Sequence, residues 1–262
     1  MRLGILGTMV WDTIHARDGR KVPFEEWGGI TYALSGADAA VPDDWTLVPI
    51  LKVGNDLREE ALTFFRTLDH VDYESGIRFV DQPNNRVELR YHDAARRTER
   101  LTGGVPPWRW AELGPIVANV DALYINLISG FELELSDAVQ LRLGYHGPMY
   151  CDLHSLMLGI DPSGIRIPRL LAEWRDWLRC FDVIQLNEDE LATLAGAWGD
   201  PWLFAADVVG EELKLLLVTL GERGAAYVAS PRFRPNPFEW RPRGLVLPPL
   251  LRQAAALSGK LE

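Results

Sequence analysis

Six short apolar runs punctuate the chain: Leu3 to Leu6, Thr46 to Val53, Ala122 to Asn126, Pro148 to Asp152, Val183 to Leu186 and Leu215 to Val218. Each stops at glycine or at a polar residue. Continuous apolar runs of this length, closed by polar chemistry at the carboxyl end, read as buried parallel strands. Helical spacing separates them, over Ile30 to Ala40, Leu57 to Leu68, Leu133 to Leu143 and Arg169 to Cys180. Pro168 is placed to open the last of these, whose Leu170, Leu171, Trp174, Trp177 and Leu178 form one packing stripe. The alternation predicts an α/β fold, a mostly parallel Rossmann-like sheet in three layers with helices on both faces. Two stretches depart from it. Trp11 to Arg17, and Ile77 to Leu101 with a turn at Pro83-Asn84-Asn85, alternate apolar and polar residues. Such strands have one wet face, so both stretches are expected to stand off the main sheet.

Ligands of open α/β sheets sit outside the carboxyl ends of the strands. That rule selects Asn187 and Thr219, the residues on which two apolar runs stop. Asn187 has a second reading, as the cap of the following helix with Glu190 as its capping-box partner. Thr219 leads into Gly221-Glu-Arg-Gly224, a glycine-flanked tight turn before another strand. Near the amino terminus, Asp12 lies in the first alternating stretch, and Gly28-Gly29 precedes a helix of small residues. A turn or strand carboxylate, and a plain glycine turn, are the alternatives for these. Asp56 in Val53-Gly-Asn-Asp56 reads first as a helix cap, and Asp152-Leu-His154 more as structure than as catalysis.

Asn187-x-x-Glu190 followed by Thr219-Leu-Gly221-Glu-Arg-Gly224 resembles the ribokinase-like (PfkB) family of ATP-dependent carbohydrate kinases, over about residues 1–228. The resemblance implies that Asn187, Glu190, Thr219, Gly221 and Gly224 bind the nucleotide, with Glu190 ordering Mg2+ and phosphate waters. It implies that Asp12, Gly28 and Gly29 contact a sugar or sugar-like substrate. Strands from about 11–27 and 77–101 would form a small β-sheet lid over that substrate, a surface that in the family often serves a homodimer. ATP and Mg2+ are the implied cofactors.

A net charge of −10 argues against nucleic-acid or anionic-membrane partners. An acidic chain that holds ATP must make its positive potential locally, from backbone N–H groups and a metal ion. Cys151 and Cys180 form no C-x-x-C, no run approaches a membrane span, and the first ten residues lack a cleavage site, which together fit a cytoplasmic protein.

The family motif Asp-x-x-Gly-x-Gly-Asp, whose last Asp is the base and whose glycines make the anion hole, is missing from the sequence, so no catalytic residue is assigned. Residues 231–262 instead hold six of the 17 prolines and carry +4 where residues 1–230 carry −14. We expect one domain over 1–230 and an irregular Pro/Arg-rich tail, with at most a short helix from Leu250 to Leu257. A frame disruption near residue 229 would account for this break. It would leave one sheet edge and an apolar face uncovered. The function expected is phosphorylation of a sugar hydroxyl, impaired by the missing motif. The alternatives are a non-catalytic sugar or nucleotide binder and an inactive truncated kinase.

Overall fold

The computed structural model describes residues 1–15, 22–92, 97–210, 213–231 and 233–240. Fourteen strands are present among them: β1 (Arg2–Leu6), β2 (Met9–His15), β3 (Phe24–Gly29), β4 (Thr46–Gly54), β5 (Ile77–Val80), β6 (Arg86–Tyr91), β7 (Arg97–Thr102), β8 (Ala122–Asn126), β9 (Met149–Asp152), β10 (Leu158–Ile160), β11 (Arg166–Pro168), β12 (Val183–Asn187), β13 (Leu215–Thr219) and β14 (Ala225–Ala229). Eight make the main sheet, in the order β14-β13-β12-β9-β8-β1-β4-β5. All neighbours in it are parallel except β13 and β14. The six apolar runs are therefore adjacent strands of one sheet. A separate four-stranded sheet, β3-β2-β6-β7, stands off it as the lid.

Alternate residues divide the core in two, as strand geometry requires. Leu6, Ile50, Ile125, Cys151, Ile184 and Leu216 pack against helices Trp110–Val117, Leu135–Gly144, Trp174–Arg179, Glu188–Ala195 and Pro201–Val208. Ile5, Leu47, Leu51 and Val53 face the other way and pack against helices Ile30–Asp38 and Arg58–Phe65. This second layer covers only the β1-β4-β5 end. On the same face of β12, β13 and β14 no helix packs among the described residues; Leu215 and Leu217 are half-buried, and Tyr227 is 69% exposed. No described helix is long and apolar enough to cross a membrane.

Four expectations need correction. Ile77 to Val80 is not lid: β5 pairs in parallel with β4 at the edge of the main sheet. An edge strand alternates for the same reason a lid strand does, because one side stays wet; Ile77 is buried while Arg78 is exposed. Pro83-Asn84-Asn85 is thus a crossover between sheets rather than a hairpin turn. Its buried Asn84 accepts from Gly54 N (3.1 Å) and donates to Met9 O (3.1 Å). Asp56 caps no helix; its carboxylate accepts from Asn84 N (2.8 Å) and pairs with Arg86 (2.9 Å), so it pins the lid to the sheet. Pro168 ends β11 instead of opening a helix, and the helix begins only at Trp174, leaving Leu170 79% exposed. The short helix expected at Leu250 to Leu257 lies outside the described residues.

Candidate active site along the strand ends

The carboxyl ends of β13, β12, β9 and β8 carry a row of polar side chains in register. Thr219 is opposite Asn187, Leu217 opposite Gln185, Gln185 opposite Asp152, and Asp152 opposite Asn126. Partners in neighbouring parallel strands share a face, so Thr219, Asn187, Gln185, Asp152 and Asn126 all project from the face that lacks a second helix layer at that end. Three strand spacings make this row about 14 Å long.

At one end stands the Asn187–Glu190 pair. Asn187 Oδ1 accepts from Glu190 N (2.9 Å), and Glu190 Oε2 accepts from Asn187 N (2.8 Å). The capping reading is therefore what the side chains do. The same bonds fix the Glu190 carboxylate at the amino end of helix Glu188–Ala195, beside the strand ends. Burial raises the Glu190 pKa, the Asn187 N–H and His154 pull it down, and Asp152 and Asp189 push it up again. Gly221 (φ 59°) and Gly224 (φ 85°) turn the chain from β13 into β14, with nothing packed where a Cβ would stand. Backbone conformation rather than space requires glycine at both. Arg223 in that turn pairs with Glu188, joining the turn to the helix start.

At the other end the lid meets β1. A Cβ on Gly28 would lie 2.0 Å from Asp12 Oδ2, so glycine makes room for that carboxylate. Gly29 has φ 65°, and a Cβ there would sit 2.6 Å from Thr8 O, the acceptor for Ile30 N (3.1 Å) at the start of helix Ile30–Asp38. The pair is more than a plain turn: one glycine admits the carboxylate, the other admits the helix. Burial pushes the Asp12 pKa up to about 6, with Glu99 and Glu26 adding to the rise and Arg97 opposing it. The end of β8 lies close by, since a Cβ on Gly29 would touch Ile128 at 3.0 Å and one on Gly7 would meet Asn126 O at 3.1 Å.

Between the two ends lies a group that sequence reasoning passed over. Gln185 interrupts Val183-Ile-Gln-Leu186, and an amide inside a buried apolar strand is the signal that was there to read. It donates from Nε2 to Asp152 Oδ2 (2.8 Å) and accepts at Oε1 from the Tyr150 hydroxyl. Asn126 donates to the Tyr124 hydroxyl (2.9 Å), while its buried Oδ1 has no hydrogen-bond partner. His154, two residues beyond Asp152, is the one non-glycine residue with positive φ (29°) among those described. Backbone strain of this kind persists only where the surroundings enforce it. Burial raises the Asp152 pKa, against the pull of His154 and Gln185. A cavity of about 390 Å3 opens at the opposite ends of the strands beside Arg2, Arg78 and Asn119.

Solved structures resemble this chain in fold. A pyrophosphate-dependent kinase in the ribokinase family, complexed with a pyrophosphate analog and myo-inositol, aligns with TM-score 0.63 at 16% identity, over 87% of this chain and 78% of its own. Ribokinase from Giardia lamblia gives 0.63 at 16%, over 87% and 76%. Arabidopsis thaliana ribokinase, complexed with ribose and ATP, gives 0.59 at 17%, over 87% and 74%. The fold is ribokinase-like. No family model and no curated protein matches the sequence, and at this identity the likeness establishes fold rather than activity.

The donor set suits Mg2+ in the form in which nucleotides carry it. Among the described residues no three His, Cys, Asp or Glu side chains gather closely enough to hold a metal unaided. Mg2+ rarely asks for that, since it keeps several waters and binds through one or two carboxylates together with phosphate oxygens. Glu190, already anchored through one oxygen, is a water acceptor of that kind.

Proposed function

We propose that the chain transfers a phosphoryl group from Mg-ATP to a hydroxyl of a sugar or sugar-like small molecule, at a turnover reduced by the missing glycine-rich motif. The observation that carries this reading is the polar row. It joins Asn187, Glu190 and Thr219 at one end to the neighbourhood of Asp12, Gly28 and Gly29 at the other. Glu190 would hold the waters of Mg2+, the Gly221 to Gly224 turn would lie along the nucleotide, and Asp12 would accept hydrogen bonds from acceptor hydroxyls. Phosphoryl transfer asks little covalent chemistry of a protein, because positioning and electrostatics supply most of the catalysis. Losing one anion-hole donor costs about 10²–10³ in rate, which is the reason to expect slow turnover. The solved structures with ATP and ribose, or with a pyrophosphate analog and myo-inositol, support the choice of substrates.

A second reading, a binder that does not turn over, is favoured by one observation. Asn187 and Glu190 hold each other through two hydrogen bonds and need no ligand to be positioned. Calorimetric titration with Mg-ATP tests the shared part of both readings. Binding is expected in the native chain and at least tenfold weakened in Asn187→Ala/Glu190→Ala; equal affinity would remove these residues from the site. ADP release in the presence of ribose or myo-inositol then separates enzyme from binder.

A further inference from the structure

We propose that Asp152 takes the proton from the acceptor hydroxyl, with Gln185 as its positioning residue. This inference rests on the kinase reading above. Carboxylates stand at both ends of the row and in its middle. Glu190 belongs to the donor end, and Asp12 stands on the lid at the acceptor end. Asp152 is the one between them. From β9 it is two strand spacings to β13 and two to β1, about 10 Å each way. On the kinase reading, Asp152 therefore stands between the donor and acceptor ends, where the phosphoryl group changes oxygens.

The local structure holds Asp152 more firmly than a surface carboxylate needs. Tyr150 hydroxyl to Gln185 Oε1, and Gln185 Nε2 to Asp152 Oδ2 (2.8 Å), make a relay across β9 and β12. Tyr150 is itself packed against Tyr124, with ring centroids 5.3 Å apart, and Tyr124 holds the Asn126 amide (2.9 Å). Gln185 is half-buried on the open face, where its amide bridges two neighbouring strands by joining Tyr150 to Asp152. The unpartnered Asn126 Oδ1, on the residue paired with Asp152, marks where a donor from outside the chain is missing: a water or a ligand hydroxyl. His154, at positive φ, pulls the Asp152 and Glu190 pKa values down.

The step balances without a further reactant. The acceptor oxygen attacks the γ-phosphorus while its proton passes to the Asp152 carboxylate. The bond from that phosphorus to the bridging oxygen breaks, and its electron pair leaves with ADP. The proton on Asp152 returns to solvent after the product departs.

The test uses the full chain, Asp152→Asn and Gln185→Leu, with Mg-ATP as donor and ribose and myo-inositol as acceptors. Nucleotide affinity and ADP release are both measured. The expected result is an unchanged Mg-ATP dissociation constant, within about twofold, in all three proteins. The rate kcat should fall about 10²–10⁴-fold in Asp152→Asn, the range for a lost general base, and by a smaller factor in Gln185→Leu. A fold defect would weaken binding as well, so the split between kcat and affinity separates chemistry from folding. If the native chain turns over and Asp152→Asn keeps its rate within threefold, Asp152 is not the base, while the kinase reading stands. If the native chain binds Mg-ATP but releases no ADP above the acceptor-free background, Asp152 performs no such step and the binder reading prevails. If Mg-ATP does not bind at all, the kinase reading falls and this inference with it.

Discussion

The two ends of the main sheet are built differently. Around β1, β4 and β5 both faces are covered, one by helices Ile30–Asp38 and Arg58–Phe65, the other by the larger helical layer, and Ile5, Leu47, Leu51 and Val53 are fully buried. Around β12, β13 and β14 only one face is covered among the described residues. The same strand shows both conditions, with Leu216 at 1% exposure facing the helices and Leu217 half-buried facing away. The candidate site stands on that open face. A parallel sheet normally hides both faces, so the open half is where a ligand or further protein has room to sit. The closed half serves as the rigid frame from which the lid and Asp12 are hung.

The largest expected contrast is energetic. Leu51 and Leu217 are the same side chain on the same face of the sheet, at opposite ends. Leu51→Ala should cost about 2–5 kcal/mol, the range for emptying a packed core position. Leu217→Ala should cost less than about 1 kcal/mol, as for a partly exposed site. Urea unfolding of the two variants measures both. Equal losses would mean that the open face is covered in solution.

A smaller contrast separates two helix caps. Asn187 caps helix Glu188–Ala195, and Asp200 caps helix Pro201–Val208 by accepting from Trp202 N (2.8 Å). Alanine at either position should cost about 0.5–2 kcal/mol of stability. Only Asn187→Ala should also weaken Mg-ATP binding, because only Asn187 stands in the polar row. Loss of nucleotide affinity in Asp200→Ala would show the effect to be general destabilisation.

The main sheet was legible because its information is local: a buried strand writes a continuous apolar run, and six runs sufficed to name six strands. The edge strand β5 was not, since an edge and a lid write the same alternation and only pairing with β4 tells them apart. Asp56 read as a cap because a carboxylate before a helix usually is one; its partners Asn84 and Arg86 lie about thirty residues away, a distance along the chain that no spacing rule spans. In the site, the Asn187–Glu190 pair and the two glycine pairs could be read because backbone geometry restricts the residues that fit. Gln185 could not be assigned partners, because Tyr150 and Asp152 reach it through pairing of β9 with β12, whereas Asn126 meets Tyr124 two residues back on its own strand. Yet an amide within an apolar strand was visible as an anomaly, and anomalies of that kind tend to mark function.

The last contrast sets stability against binding at Asp12, and its effect is the smallest. Burial, Glu99 and Glu26 hold this carboxyl at about 6, above its ordinary value of 3.8. The folded chain therefore takes up the proton more readily than the unfolded one. Ionised Asp12 weakens the fold above pH 6, and the penalty is relieved as pH falls through 6 toward 4. Asp12→Asn should accordingly raise Tm at pH 7 to 8, with the gain shrinking toward pH 4. Binding runs the other way. An ionised carboxylate accepts hydroxyl protons better than a neutral one, so acceptor affinity should rise as pH increases from 5 to 7, with a midpoint near 6. Asp12→Asn should flatten that profile. Glu99→Gln removes one of the charges that oppose ionisation and should move the midpoint down by less than about one pH unit. Titrating ribose or myo-inositol binding across this range in the three proteins measures the effect. A midpoint that stays put in Glu99→Gln, or a pH rise that survives Asp12→Asn, would take Asp12 out of the acceptor site.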